Sequence, residues 1–171
     1  MENTITTTWQ RVLDDPHLRN LPYKIETTET GQIILSPYKP RHSLQQGRIV
    51  RLLLSHGQEP GEPAVEFAVE TRKGVKVPDV VWISQERLEA LPDDAEACPF
   101  APEICIEVLS SANTDAEINE KCRLYFEHGA QEVWICAEEG QMTFYVAGEE
   151  EPVSRSRLMP AFPPTINEAA G

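Results

Sequence analysis

The sequence predicts a mixed α/β domain in which one central β-sheet is flanked by helices. Short β-branched runs alternate with segments whose apolar residues recur at helical spacing, in the order helix, hairpin, helix, several strands, helix, hairpin. The length of 171 residues and the hydrophobic content of 40% suffice for a substantial core. We therefore predict that residues 1–171 form a single domain.

The first third of the chain predicts a helix, a hairpin and a second helix. Residues 1–20 are predicted to form a lead-in with a short helix that Pro16 ends. The run YKIETTETGQIILSP, residues 23–37, predicts two strands joined by a turn at Gly31. The next run, RHSLQQGRIVRLLLSHG, predicts a longer helix with Gly57 as its C-cap.

The middle of the chain predicts strands. Residues 64–71, AVEFAVET, alternate between apolar and polar side chains, which predicts a strand with one exposed face. The β-branched residues of VKVPDVVWIS, 75–84, predict one buried strand. A polar segment that contains prolines follows over 85–103, with room for one helical turn.

The last third predicts a strand, a helix and a hairpin. EICIEVLS, residues 103–110, is apolar on both sides and predicts a buried strand. Thr114 and Glu117 have the spacing of a capping box, which predicts a helix over 114–128. EVWICAE and QMTFYVAG predict a hairpin, and the Pro-rich tail 150–171 is expected to pack on the domain.

The composition excludes several classes of protein. No apolar run reaches the roughly 18–20 residues that span a bilayer. The N-terminus lacks the basic start and apolar stretch of a signal peptide, so we expect a cytoplasmic protein without a membrane partner. The four cysteines show no metal-ligand spacing, which indicates neither a zinc site nor disulfide bonds.

The net charge of −13 argues against general binding to nucleic acid, but the charge is unevenly distributed. Residues 1–50 hold six basic and five acidic residues, whereas residues 101–171 hold four and thirteen. A local basic strip is therefore expected near YKPRHSLQQGRIVR, although a solvated helix face is an equally good interpretation. The candidates for phosphate contacts in it are Arg41, Arg48 and Arg51.

A lysine interrupts the apolar face of the last predicted helix. Ile118, Lys121, Cys122 and Tyr125 recur at i, i+3, i+4 and i+7 and share one face. A buried ammonium group costs several kcal/mol unless it is paired. The Lys121 side chain therefore either extends past the edge of the core or has an anionic partner on the sheet.

Two carboxylates offer such partners. Asp79 and Glu107 each lie inside an apolar run that predicts a buried strand. One such carboxylate could be a structural anchor that accepts backbone hydrogen bonds. Two of them, followed by a helix with an inward-facing lysine, indicate a site. Because two anions repel each other unless a cation lies between them, we predict bound Mg²⁺ or Mn²⁺.

These residues carry a resemblance to a known family. The series GVKVPDVVWIS, PEICIEVLSSAN and EINEKCRLYFEHGAQEVWIC resembles the Uma-two family, described as putative restriction endonucleases (domain of unknown function 820), which is abundant in cyanobacteria. The resemblance runs from about Trp9 to Tyr145. It implies the fold of the PD-(D/E)xK nuclease superfamily, a restriction-endonuclease-like mixed sheet flanked by helices.

The resemblance also implies roles for individual residues. Asp79 and Glu107 match the two metal-binding motifs, and the backbone carbonyl of Val108 is the implied third ligand. Leu109 occupies the position where the superfamily has its catalytic lysine. The Uma-two family as a whole also has a hydrophobic residue there, and Lys121 is the candidate replacement for the lysine. Family patterns further favour Glu26 and His42 as site residues, although core or surface roles suit those two equally well.

The implied function is Mg²⁺-dependent hydrolysis of DNA phosphodiester bonds, with Asp79, Glu107 and Lys121 as catalytic residues. A homodimer is expected, because cleavage of a duplex needs two sites. The alternative is a degenerate nuclease scaffold that binds DNA or protein without cleaving it, which the missing lysine and the net charge favour. A weaker alternative is an antitoxin-like protein whose acidic surface meets a basic partner.

Overall fold

The computed structural model describes residues 4–57 and 59–167 and has the predicted mixed α/β architecture. The elements in chain order are α1 (Thr4–Asp14), β1 (Tyr23–Thr27), β2 (Ile33–Pro37), α2 (Pro40–His56), β3 (Gly61–Val65), β4 (Val69–Thr71), β5 (Gly74–Lys76), β6 (Val80–Ser84), α3 (Gln85–Ala90), β7 (Ile104–Val108), α4 (Asp115–Glu127), β8 (Glu132–Cys136) and β9 (Met142–Val146). The ends of the predicted lead-in and tail, residues 1–3 and 168–171, lie outside the described residues. Within the described ranges, no helix has both the length and the apolar character required to cross a bilayer.

Five strands form the central sheet in the order β3-β6-β7-β8-β9. The β7–β8 pair is parallel and the other three pairs are antiparallel. Helix α4 makes the crossover between β7 and β8, as a parallel connection requires. The hairpins β1–β2 and β4–β5 form two separate two-stranded sheets.

Helices α2 and α4 cover opposite faces of the central sheet. On β7, Ile104, Ile106 and Val108 belong to the core that includes α2, whereas Cys105 belongs to the core that includes α4. Successive side chains on a strand point to opposite faces. Glu107 therefore faces α4, the helix that carries Lys121.

The described part of the C-terminal tail completes the core on the α2 side. Met159, Phe162 and Ile166 are buried there, and the ring centroid of Phe162 lies 4.6 Å from that of Trp134. Among the described residues, the tail adds two isolated antiparallel bridges to the sheet, one between Gln141 and Thr165 and one between Phe144 and Val153.

Both strands predicted in the middle of the chain are interrupted. The predicted strand 64–71 breaks at Glu66, whose φ of 50° lies in the left-handed region that extended strands do not use. The predicted strand 75–84 breaks at Pro78 and Asp79, because proline has no N–H group to donate to a neighbouring strand. The second break places Asp79 one position beyond the last residue pair between β6 and β7.

A close backbone contact fixes β1 against β5. Gly74 has a φ of +100°, and a Cβ atom there would lie 2.2 Å from the Thr27 carbonyl oxygen. Only glycine permits both this conformation and this approach. The contact brings β1, which carries Lys24 and Glu26, next to the segment that leads into Asp79.

Candidate active site

A pocket of about 340 Å³ opens where β6 and β7 meet the β1–β2 hairpin, the start of α2 and the inner face of α4. Six of the predicted site residues line it. They are Glu26, His42, Asp79, Glu107, Val108 and Lys121. The structure thus brings together carboxylates and a lysine from β1, β7, α4 and the residue that precedes β6.

Asp79 is buried and both of its carboxylate oxygens have partners. Oδ1 accepts a hydrogen bond from Lys24 Nζ at 2.8 Å, and Oδ2 accepts one from the Val108 backbone N–H at 2.7 Å. His42 Nε2 lies 3.3 Å from Oδ2. Burial alone would raise the pKa of Asp79, but the His42 hydrogen bond and the Lys24 charge outweigh it and hold this pKa well below its usual range.

Glu107 lies on the adjacent strand and is equally buried. Its Oε1 accepts hydrogen bonds from Tyr125 Oη at 2.6 Å and from Lys121 Nζ at 3.3 Å. Lys24 Nζ lies 3.6 Å from Oε2. Burial raises the pKa of Glu107 above its ordinary value, and the two lysines offset this only in part.

Lys121 faces inward because it has two acidic partners. Its Nζ lies 2.9 Å from Glu26 Oε1 as well as 3.3 Å from Glu107 Oε1. Burial would lower the pKa of Lys121, but the two carboxylates raise it above its ordinary value. Glu26 is itself fixed by the Val77 backbone N–H, which donates to its Oε1 at 2.8 Å.

The start of α4 determines where Lys121 points. Thr114 and Glu117 form the predicted capping box, in which the Glu117 backbone N–H donates to Thr114 Oγ1 and the Thr114 backbone N–H donates to the Glu117 carboxylate. The helix axis and the first turn are thereby fixed. Lys121 then follows on the face that also carries Tyr125.

Lys24, which was not predicted from the sequence, bridges the two buried carboxylates. Its Nζ donates to Asp79 Oδ1 and, at 3.0 Å, to the Val77 carbonyl oxygen. Burial would lower the pKa of Lys24, but Glu107 and Asp79 raise it well above its ordinary value. A signal was present in the sequence, because Lys24 and Glu26 are two residues apart on a strand and so share one face.

Glu66 is a further pocket residue that was not predicted from the sequence. Glu66, the residue with the left-handed φ, donates its backbone N–H to the Asp79 carbonyl oxygen at 3.2 Å. The Gln46 side chain holds this turn together by donating to Glu66 Oε1 at 2.7 Å. Lys76 also lines the pocket, but its Nζ donates to the Thr27 carbonyl oxygen at 2.8 Å rather than to a carboxylate.

The three predicted arginine contacts lie outside this pocket. Arg41 and Arg48 line a separate depression, where Arg48 Nη1 donates to Asn167 Oδ1 at 2.9 Å. Arg51 is exposed on α2. Among the described residues, the cationic side chains that line the pocket are lysines and His42. A role of the arginines in phosphate contacts remains a prediction.

The donor atoms suit a hard divalent cation, although the pocket has no ready-made cage for one. Within residues 4–57 and 59–167, no group of three or more histidine, cysteine, aspartate or glutamate side chains could hold a metal ion. Mg²⁺ commonly uses only one or two carboxylates and completes its shell with water and phosphate oxygens. Asp79 and Glu107 fit that pattern, but Asp79 Oδ1 and Glu107 Oε2 both face the Lys24 ammonium group, which a metal between them would have to displace.

Comparisons with known proteins agree with the resemblance seen in the sequence. A family model, Uma2, described as "Putative restriction endonuclease", matches residues 12–167. A crystal structure of a putative nuclease belonging to DUF820 from Anabaena variabilis superposes with a TM-score of 0.69 at 21% identity, over 84% of this chain and 87% of that one. At this identity the superposition shows a shared fold. A search of curated proteins found no match.

Proposed function

The chain belongs to the Uma2 family, and from that membership and the pocket we propose that it is a nuclease that hydrolyses DNA phosphodiester bonds with Mg²⁺ or Mn²⁺. One observation carries the proposal. Asp79, directly before β6, and Glu107, on the adjacent strand β7, meet in one open pocket beside Lys121. A cluster of buried charges that opens to solvent is typical of a catalytic site rather than of a structural ion pair.

Asp79, Glu107 and the Val108 carbonyl would hold the metal. When bound, the ion would supply positive charge to the scissile phosphate and lower the pKa of a coordinated water. Asp79 is suited to this role because its low pKa keeps it ionised throughout the physiological range. The Val108 backbone N–H fixes its Oδ2 in direction.

Lys121 would stabilise negative charge on the phosphate rather than act as a base. Its raised pKa keeps the ammonium protonated at neutral pH, so it can donate hydrogen bonds to a phosphate oxygen but cannot accept a proton from water. The contacts with Glu26 and Glu107 hold it in place for that role. A proton acceptor would need a neutral amine, which the raised pKa of Lys121 disfavours.

His42 would contact a phosphate at the rim of the pocket. Its side chain is 21% exposed, while its Nε2 lies beside Asp79 Oδ2. The Asp79 hydrogen bond raises the pKa of His42, which favours the protonated ring. A protonated imidazole attracts the phosphate backbone.

A homodimer would place two such pockets on one duplex.

A second function is favoured by the same ion pairs. Lys24 and Lys121 already neutralise the carboxylates, and Leu109 occupies the position of the superfamily lysine. A scaffold that has lost its chemistry could keep such pairs for stability alone. In that case the protein would bind DNA or another protein without hydrolysis.

A cleavage screen separates the two functions. End-labelled duplex DNA, single-stranded DNA and RNA would be incubated with the protein in Mg²⁺, Mn²⁺ or EDTA. We expect metal-dependent DNA cleavage that falls at least about 1,000-fold in Asp79→Asn and Glu107→Gln. Lys121→Met should lower it about 100-fold.

The matched control is Glu127→Gln, which removes an exposed carboxylate from the end of α4, where it pairs with Arg72. Its cleavage rate should equal that of the wild type. Absence of cleavage of all three substrates in either metal, by protein that melts cooperatively, would reject the nuclease in favour of the binding module.

A further inference from the structure

The Lys24 ammonium group occupies the space between the two carboxylates that would hold the metal. Its Nζ lies 2.8 Å from Asp79 Oδ1 and 3.6 Å from Glu107 Oε2. A third oxygen, the Val77 carbonyl, accepts a hydrogen bond from it at 3.0 Å. The side chain is only 10% exposed. An internal cation therefore already lies against the two carboxylates that an external cation would need.

We propose that Lys24 is an internal counter-ion that competes with the divalent metal for Asp79 and Glu107 and so sets the metal affinity of the site. This inference rests on the proposed metal-dependent function. Two cations a few ångströms apart repel each other strongly in a partly buried pocket. The metal and the ammonium group therefore exclude each other from the space between the carboxylates.

Lys24 is better placed for this exchange than Lys121. Lys121 pairs with Glu26 and with Oε1 of Glu107, so it leaves Asp79 untouched. Lys24 contacts Asp79 and the other oxygen of Glu107. Its flexible four-carbon stem can swing into the open part of the pocket when the ammonium is displaced. Entry of a metal thus requires one side chain to move.

Lys76 provides a matched control. It lines the same pocket and is also buried, but its Nζ donates to the Thr27 carbonyl oxygen. Removing its charge changes the overall potential of the pocket without freeing a carboxylate oxygen of Asp79 or Glu107. A general electrostatic effect would affect both lysine variants alike. Competition for one position would affect only Lys24.

The test is a Mn²⁺ titration followed by electron paramagnetic resonance of the free ion. We expect Lys24→Met to bind Mn²⁺ at least about tenfold more tightly than the wild type, and Lys76→Met to change the affinity less than about threefold. The double variant Lys24→Met/Asp79→Asn should lose the gain. Unchanged or weaker binding by Lys24→Met, or an equal gain in Lys76→Met, would overturn the proposal.

The stability of the same variant gives a second readout. Loss of the ammonium leaves buried carboxylates facing one another, so Lys24→Met should melt at a lower temperature than the wild type in EDTA. Mn²⁺ should raise its melting temperature more than it raises that of the wild type. A Lys24→Met protein that is unfolded in Mn²⁺ as well as in EDTA would contradict the exchange of one cation for the other.

Failure of this proposal is distinguishable from failure of the nuclease function. Tighter Mn²⁺ binding by Lys24→Met without cleavage of any nucleic acid by the wild type would support the competition and reject the nuclease. Metal-dependent cleavage by the wild type with no gain in affinity in Lys24→Met would support the nuclease and reject the competition.

Discussion

Buried carboxylates occur at both ends of the central strands, but they have different partners at the two ends. At the pocket end, Asp79 and Glu107 face the ammonium groups of two lysines. At the opposite end, the Glu132 carboxylate accepts hydrogen bonds from the Trp134 indole at 2.6 Å and from the backbone N–H groups of Arg157 and Leu158 at 2.7 and 2.8 Å.

Glu103, one position before β7, combines a backbone donor like those of Glu132 with an arginine side chain. Its Oε2 accepts a hydrogen bond from the Ser84 backbone N–H at 2.9 Å, and Oε1 lies 3.2 Å from Arg87 Nε. Backbone N–H groups and a buried indole cannot move away from a carboxylate while the protein stays folded. A lysine ammonium group at the edge of a pocket can move away from it. Burial of a carboxylate therefore does not by itself indicate a functional site, whereas the mobility of its partners does.

The largest expected effect on stability in this comparison concerns Glu132→Gln. The amide would place an N–H₂ group against one of three fixed donors, so we expect the free energy of unfolding to fall by about 2–4 kcal/mol. Urea unfolding measures it. Glu149→Gln, which removes an exposed partner of Arg157, should change stability by less than about 0.5 kcal/mol. A loss below about 1 kcal/mol for Glu132→Gln would contradict the view that carboxylates at this end of the sheet are held more rigidly than those in the pocket.

A smaller loss is expected for Tyr125→Phe at the pocket end. The change deletes the hydroxyl that donates to Glu107 Oε1 in a fully buried position, but Lys121 still pairs with that oxygen. We expect a loss of about 1–2 kcal/mol in urea unfolding. Tyr145→Phe, at a partly buried position on β9, is the control and should lose less than half as much. A Tyr125→Phe loss as large as that of Glu132→Gln would show that the pocket carboxylates are equally fixed.

The smallest effect concerns the pH dependence of the His42–Asp79 contact. The hydrogen bond with Asp79 raises the pKa of His42 in the folded state, supported by the Asp79 and Glu66 charges and opposed by burial and Lys24. Because the folded pKa lies above the unfolded one, the stabilisation is complete below the unfolded value of about 6.5 and is lost as the pH rises through the folded pKa.

An NMR titration of the His42 ring protons measures this pKa. Asp79→Asn removes the charge and should lower the pKa of His42. A pKa of His42 at or below about 6.5 in the wild type would contradict the contact.

The three strongest anomalies in the sequence concern residues that lie close together in the structure. Asp79 and Glu107 interrupt apolar runs, and Lys121 interrupts an apolar helix face, so each stands out locally. The structure gathers all three in one pocket. Their catalytic roles remain predictions, but their proximity follows from alternation along β7 and from the register of α4, both of which are local properties of the sequence.

Lys24 gives a weaker signal, because a lysine is ordinary in a short, half-exposed strand and only its spacing from Glu26 links it to a candidate site residue. Its position depends on the contact between Gly74 and Thr27, which are far apart in the chain. Glu132 was missed for a related reason. Glu132 is the first residue of its strand, where a charged residue is not unusual, and its backbone donors come from the tail. The break at Glu66 likewise depends on Gln46 from α2.

The capping box of α4 has a consequence for how the chain can change in length. Each residue inserted between Thr114 and Lys121 would rotate the lysine by about 100° around the helix and remove it from the pocket. Residues inserted before Thr114 would lengthen an exposed loop, while the cap and the lysine would keep their spacing. Among relatives of this chain, insertions and deletions should therefore accumulate before the residue equivalent to Thr114 and be absent between it and the residue equivalent to Lys121.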